Sequence, residues 1–403
     1  MPRVSLRIEL RRDRSRLRPS DGPWIRRAHV RKVWGPPDPA ALACVTDHRG
    51  RPLAWGLYAP ESEIVVRLLS FGERAPPENW LAERIAAALR GRAALGLGVS
   101  QLGASTTGVR MINTEGDGLP GLVADRYGDD WVLQVTTAAM VSHQPTILEC
   151  LKEHVHGRLF VLHPESAALR EGFTPAPLAL DGVHGSPLKE SANLEFCEHG
   201  LRFRVPAPPS QKTGAYLDQR DNRRRVAELA ANHGGRLLDL GCHVGGFAIH
   251  AARAGVDTVG LDQSAAVLEL AQANAELNGV AERTRWIRGD LFGALDDPEL
   301  AAGFGTIVVD PPKIANSRRD LGRAIKALRA CLARACRGLA DDGFLVLCSC
   351  SHHLGREHLD EALPDGGGQR WVRVMSLGPG ADHPVQVGHA EGEYLRVNVY
   401  QRR

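Results

Sequence analysis

From about residue 190 the chain alternates between short apolar runs and amphipathic stretches, and this rhythm restricts the fold more than any other feature. The runs Arg236 to Leu240, Thr258 to Leu261, Thr284 to Ile287, Thr306 to Val309 and Phe344 to Leu347 read as strands. Helical patterns lie between them: one opens at Gly246, one covers Ser264 to Asn278, one lies near Arg319 to Cys336. Parallel strands need long crossovers, and helical crossovers cover the sheet they leave. The expected class is therefore α/β, with a Rossmann-like parallel sheet at the C-terminal end and helices on both faces.

The first four of these strands lead to an acid. The stretch Asp239-Leu240-Gly241-Cys242-His243-Val244-Gly245-Gly246 follows a strand and opens a helix. Its glycines permit a tight turn and close approach of a ligand to the main chain. The spacing departs from the dinucleotide fingerprint G-x-G-x-x-G and better fits a turn that binds S-adenosylmethionine, which has no pyrophosphate to cradle. Asp262, closing the next strand, offers two acceptor oxygens to a pair of ribose hydroxyls. Asp290, closing the third, is placed to accept from an adenine amino group, and Asp310 closes the fourth. Expected cofactor contacts are thus Asp239, Gly241, Cys242, Gly245, Asp262 with Gln263 and Ser264, Asp290 with Leu291, and Asp310. Any one of these acids could be an exposed helix cap; four at successive strand ends point to a ligand.

The last strand of the series delivers thiols to the same rim, in Phe344-Leu345-Val346-Leu347-Cys348-Ser349-Cys350-Ser351. A carboxylate and a thiol side by side suit methylation of carbon 5 of cytosine. That carbon attacks a sulfonium methyl only after a thiolate has added to carbon 6. Cys350 lies just beyond the strand and is the expected nucleophile. Period-two alternation puts Cys348 on the same face, so the pattern leaves both open. Asp310 is expected to hold or protonate the ring at nitrogen 3, with Pro311 and Pro312 as a rigid wall and Lys313 near a phosphate or the thiol. His352 and His353 beside the two cysteines suggest a metal, but no second ligand cluster has suitable spacing, so none is expected.

A chain of 403 residues, 43% apolar, can bury two or three cores. Its formal net charge of +3 hides a basic opening that contains Arg3, Arg7, Arg11, Arg12, Arg14, Arg16, Arg18, Arg26, Arg27, Arg31 and Lys32. Such density attracts a polyanion, unless it is a solvated tail. Strands at 41–45, 52–58 and 64–69 suggest a small β-barrel, ending in the linker Ala75-Pro76-Pro77-Glu78. A helix over 80–92, a turn at 113–121, a hairpin around Gly128-Asp129-Asp130, a helix near 145–156 and a strand at 159–162 then form a small α+β module. Pro175, Pro177 and Pro187 mark its exit, and a hairpin at 194–205 opens the third part. The expected domains are 1–77, 78–190 and 191–403. The eight cysteines show no disulfide-scaffold spacing and read as reduced thiols of a cytoplasmic protein. No run has the length of a membrane span, and the charged opening lacks a signal peptide's apolar core.

With these residues together, the chain resembles the bacterial 23S rRNA (cytosine-5) methyltransferases built from a PUA domain, a central EEHEE domain and a class I methyltransferase domain. The likeness rests on Gly22-Pro23-Trp24-Ile25, on Ser62-Glu63-Ile64-Val65-Val66-Arg67, and on Asn113-Thr114-Glu115-Gly116-Asp117-Gly118-Leu119-Pro120-Gly121. It continues in Gln211-Lys212-Thr213-Gly214-Ala215-Tyr216-Leu217-Asp218-Gln219-Arg220, Asp310-Pro311-Pro312-Lys313, Ser349-Cys350-Ser351 and Asp382-His383-Pro384. The resemblance implies S-adenosylmethionine as methyl donor, Cys350 as nucleophile, and 23S rRNA or a large-subunit assembly intermediate as partner. It also implies that Gln211 to Arg220 flank the methionine end of the cofactor, with Lys212, Thr213, Tyr216, Asp218 and Arg220 as contacts. A PUA part implies contact with structured RNA through phosphates and shape, here by Arg26, Arg27, Arg31 and Lys32. The chain departs from its relatives at Gly241-Cys242-His243-Val244, where they often carry Phe-Cys-Tyr-Thr, and at Ala215 and Ile314, where an aromatic is common. The Gly-rich segment 366–369 is also unusual. Two further readings stand beside this one: methylation of another RNA base position, and a non-catalytic RNA-binding protein of ribosome assembly. A homodimer is left open.

Overall fold

The computed structural model describes residues 6–14, 16–39, 41–99, 105–181, 193–209, 213–301, 303–315, 317–364 and 370–403. Pro187, Gln211, Lys212 and the segment 366–369 lie outside the described residues. The chain divides into two compact units. One joins Met1–Leu194 with Pro206–Ala215 and Ala381–Gly392; the other joins Glu195–Val205, Tyr216–Gly380 and Glu393–Arg403. The expected boundary at 77/78 falls inside the first unit.

The second unit is built on a seven-stranded sheet. Its order is Thr284–Arg288, Thr258–Asp262, Arg236–Leu240, Phe304–Val309, Leu339–Ser349, Arg396–Arg402, Trp371–Leu377. The first five are mutually parallel, and the last two pair antiparallel. Neighbouring residues on one strand serve opposite faces. Leu345 and Leu347 pack with the helix Leu321–Ala335, through Ile325, Leu328 and Leu332. Val346 and Cys348 pack on the other face, with Val226 and Ala230 of Arg220–His233 and Phe247 of Gly246–Arg253. Both faces are therefore covered, as the strand–helix rhythm requires. The two antiparallel strands were not legible as such, because Trp371–Leu377 is an edge strand with half-exposed and exposed residues along most of its length.

In the first unit a six-stranded sheet has the order Trp24–Arg26, Ile64–Phe71, Pro52–Tyr58, Leu42–Thr46, Leu6–Leu10, Val30–Trp34. The arginine-rich opening is not a tail throughout. Leu6, Ile8 and Leu10 are fully buried, while Arg7 and Glu9 between them are partly exposed, so the segment forms an inner strand with its charges on one side. A five-stranded sheet follows, ordered Leu178–Asp181, Arg158–Leu162, Asp130–Val135, Leu122–Tyr127, Gly108–Asn113. The helix Trp80–Ala94 packs on it through Trp80, Leu81 and Ile85.

The late segment 381–392 is sewn into this unit. The Asp382 carboxylate accepts from the Arg110 N–H at 3.0 Å, and its carbonyl accepts from Arg92 at 2.9 Å. Arg92 also makes two bonds of 2.7 Å to Asp117, in a pair that is almost fully buried. Asn113 Nδ2 donates to the Pro384 carbonyl at 2.9 Å. A Cβ on Gly116 would coincide with that same carbonyl oxygen. The turn 113–118 and the Asp382-His383-Pro384 motif, distant in sequence, are thus two halves of one structural contact. Gly116→Ala should lower the stability of the chain by about 1–3 kcal/mol, the usual range for overpacking. A denaturant midpoint equal to the wild type would mean that the segment yields without cost.

Candidate active site

The order of the parallel strands reverses between Arg236–Leu240 and Phe304–Val309. From Arg236–Leu240 the chain first builds outward through Thr258–Asp262 and Thr284–Arg288, then returns to the opposite side with Phe304–Val309. Crevices beyond the carboxyl ends of strands at such a switch point are where ligands of open α/β sheets lie. Gly241 turns away from the first strand at φ +82°, and a Cβ there would collide with the Asp310 carbonyl. Only glycine accommodates both the left-handed backbone and the approach.

The four expected acids occupy this end of the sheet in different ways. Asp239 lies within its strand, fully buried, and its Oδ2 accepts from the Ala248 N–H at 3.2 Å. Its Oδ1 is buried without a hydrogen-bond partner. Burial pushes this carboxyl up to about 7, against the pull of the Ala248 N–H, with the charges of Asp310 and Asp262 adding to the rise. Asp262 ends its strand and accepts from the N–H groups of His243 and Ser264, both at 3.1 Å. It thereby ties the glycine turn to the next helix while each oxygen keeps a second lone pair. Asp290 stands two residues beyond its strand, exposed, and accepts from the Phe292 N–H. Asp310 follows its strand directly, partly buried, and takes a hydrogen bond from Gln219 Nε2 at 3.2 Å.

The two cysteines separate sharply. Cys348 is fully buried inside the apolar cluster, and that burial, with the charge of Asp310 next, pushes its thiol far above the ordinary range. Cys350 lies past the strand end and is only partly buried. Tyr216 marks what surrounds it: burial, then the charges of Asp310, Cys350, Asp218 and Asp262, push its phenol up to about 12. Tyr216 therefore has the acid and the thiol in its field together. Its ring meets His243 edge to face, centroids 4.9 Å apart.

The remaining expected residues divide. The buried Asp218 carboxylate accepts from the Tyr394 hydroxyl at 2.7 Å. Leu291 is buried, Gln263 is exposed, and Ser264 caps the helix Ala265–Leu277 through the Val267 N–H. The Cys242 thiol is buried, and the place of a Gly245 Cβ is filled by the Trp286 indole. Arg220 is buried and pairs with Asp221. Thr213 belongs to the first unit, where its hydroxyl donates to Asp125 and the next-but-one N–H, that of Ala215, donates to the Tyr127 hydroxyl. Lys313 is exposed. In the first unit Arg26 pairs with Glu391 at 2.8 Å and Arg31 pairs with Glu9 at 2.5 Å. Arg27 donates to the Pro60 and Ser62 carbonyls, and Lys32 sits 3.6 Å from the Trp34 ring centroid.

Other contributors had no signal of their own. Arg223 donates to the Tyr216 carbonyl at 2.9 Å and to Glu198 at 2.8 Å, and Glu198 also bonds His250 at 3.0 Å. Burial alone would raise the Glu198 carboxyl, but Arg223 and His250 hold it down at about 2. This buried triad braces Tyr216 from behind. Gln219 lies in the Gln211 to Arg220 string that the resemblance placed beside the cofactor, and Asn222 just past it, yet nothing in their spacing announced the bonds that join them to each other and to Asp310.

Residues 166–372 match the family model of the S-adenosylmethionine-dependent methyltransferases, and residues 8–71 match that of the PUA-like domain. The chain belongs to the S-adenosylmethionine-dependent methyltransferase family. It is 35% identical to a Deinococcus radiodurans protein named "Ribosomal RNA large subunit methyltransferase", over 99% of this chain and 98% of that one. It is 31% identical to "Ribosomal RNA large subunit methyltransferase I" of Shewanella denitrificans, over 98% of both. Its fold is shared with the solved structure of a candidate SAM-dependent methyltransferase from Streptococcus mutans, at TM-score 0.77 and 16% identity over 98% of this chain and 99% of that one. A second such fold, at TM-score 0.74 and 17% identity over 90% of this chain and 91% of the other, was solved as a complex with SAH.

The family's cofactor is S-adenosylmethionine, and the crevice fits it. The ligand is cationic at sulfur and nitrogen, and the rim gathers carboxylates, one of which keeps a buried oxygen without a partner. A cation bound near Asp239 favours its ionised form. Since that carboxyl titrates near 7, cofactor affinity should rise as pH increases through neutrality and level off above it, with a proton released on binding below that point. Calorimetry in buffers of different ionisation enthalpy reads this directly; a flat affinity from pH 6 to 8.5 would exclude Asp239 from the linkage.

Proposed function

We propose that this methyltransferase places a methyl group on carbon 5 of a cytosine in large-subunit ribosomal RNA, in the cytoplasm, through a covalent adduct on Cys350. The observation that carries the reading is the contrast between the two cysteines. One is sealed in the core; the other stands past the strand end, with Asp310 in the same local field. The printed names of the relatives supply the ribosomal RNA.

Asp239, the Gly241 turn, Asp262 and Asp290 would hold the cofactor along the first three strand ends. Bound S-adenosylmethionine supplies an electrophilic methyl at its sulfonium. The Cys350 thiolate bonds to carbon 6 of the cytosine, and the electrons of the carbon 5–carbon 6 double bond make carbon 5 nucleophilic. The Asp310 carboxyl donates a proton to nitrogen 3, where negative charge builds as the sulfur adds. After carbon 5 is methylated, its hydrogen leaves as a proton to water, the nitrogen 3 proton returns to the Asp310 carboxylate, and the carbon 6–sulfur bond breaks, which restores the thiolate. Tyr216 and His243 wall the crevice with aromatic surface suited to a flat base. A target inside a helix would have to be flipped out. Residues 1–77 serve as the RNA-contacting part, 78–190 as a central module and 191–403 as the catalytic part.

Cys350→Ala should abolish methyl transfer and leave cofactor binding unchanged, while RNA carrying 5-fluorocytidine at the target should trap a stable adduct on the wild type only. Normal transfer by the alanine variant ends the covalent reading. Replacing Arg31 and Lys32 together by alanine should weaken RNA binding and flatten its salt dependence by roughly one to two units of log–log slope. An unchanged slope would place the RNA on another face.

A further inference from the structure

Asp310 is held by a side chain that has no assigned part in the chemistry. Gln219 is 2% exposed and donates from Nε2 to Asp310 Oδ2 at 3.2 Å. Its Oε1 accepts from Asn222 Nδ2 at 2.7 Å, and the same Asn222 nitrogen donates to the Gly378 carbonyl at 3.0 Å. Asn222 is 3% exposed. The two ends of a carboxamide are alike in shape and opposite in hydrogen bonding, so only a network fixes which way each points. Here the network has an unambiguous end. A main-chain carbonyl can only accept, so Gly378 sets the amino end of Asn222. That amino group sets the oxygen of Gln219, and the remaining amino group of Gln219 must face Asp310. The direction of the relay is dictated by backbone.

We propose that Gln219, oriented by Asn222 and the Gly378 carbonyl, is the positioning residue that aims the Asp310 carboxylate at the substrate base; this rests on the reading above that Asp310 faces that base. The carboxylate torsion of an aspartate is broad and weakly two-fold, so a fixed donor on one oxygen restricts its plane. Gln219 is itself immobile. It is buried, it closes the turn Leu217–Gln219 with its N–H on the Tyr216 carbonyl at 3.1 Å, and the helix Arg220–His233 begins at the next residue. The chemistry of the donor matters as much as its place. An arginine here would orient the carboxyl equally well but hold it ionised. A neutral amide orients it and leaves it able to carry the proton for nitrogen 3.

Single-turnover methyl transfer to RNA tests this, across a pH series and with cofactor affinity measured on the same preparations. Gln219→Leu, close in shape but without a donor, should slow transfer on the order of 100-fold, as a small misplacement of a reacting group does, with the cofactor dissociation constant within about two-fold. The alkaline limb of its pH–rate profile should also move up by about one unit, because the lost N–H favoured the ionised carboxylate and the protonated form that serves nitrogen 3 persists to higher pH. Asn222→Asp puts an acceptor in front of Gln219 Oε1, turns the amide round, and should shift the limb in the same direction. It carries the test alone if the leucine variant melts early. A wild-type rate, or a slower rate with a pH profile of unchanged shape, overturns the proposal and leaves Gln219 a packing residue. Asp310→Asn transferring at the wild-type rate would remove Asp310 from the chemistry and this proposal with it. An active Cys350→Ala would instead overturn the covalent step while the shifted limb stayed in place.

Discussion

Gly241 and the Asp310 carbonyl touch because residue 241 has no side chain, and the site depends on that contact. It brings the turn after the first strand against the segment after the fourth, across the point where the strand order reverses. The turn is on the proposed cofactor side and Asp310 on the proposed substrate side. Any larger residue at 241 would meet both a left-handed backbone and a carbonyl oxygen, and the two halves of the crevice would separate.

Carboxylates gathered at one rim repel one another, and the structure manages the repulsion by unequal burial. Asp239 is buried deeply enough to titrate near neutrality. Asp262 is tied down by two backbone N–H groups, and Asp310 by a neutral amide. Behind the site Arg223 pairs with Glu198 and braces the Tyr216 carbonyl. A rim that gathers carboxylates is complementary to a sulfonium. The same logic separates the cysteines: a thiol inside the apolar cluster stays protonated, and one beyond the strand end meets the polar crevice.

The family motifs outside the catalytic sheet turn out to be mutual partners. The turn 113–118 and Asp382-His383-Pro384 interlock through Asn113, Gly116 and Arg110, and Thr213 is held by Asp125. Their spacing carries no chemistry of its own. They are specific in sequence because a glycine must meet a carbonyl and buried carboxylates must be paired, constraints that bind residues hundreds of positions apart.

Strand and helix periodicity determined the α/β sheet, its five parallel strands and the acids at their ends, because those signals are local: each strand names its own end. The Asp-Pro-Pro-Lys and Ser-Cys-Ser strings were legible for the same reason. Periodicity left 348 and 350 open, since alternation describes a strand and cannot tell how deeply each thiol is buried. The donor set around Asp310, the triad behind Tyr216 and the indole filling the space at Gly245 were illegible, as each joins side chains from separate elements whose meeting no spacing encodes. The sequence by itself determined which chemical groups were present and on which strands. The tertiary structure alone decided which of them are buried and which are paired, because burial and pairing depend on what the rest of the chain packs against them.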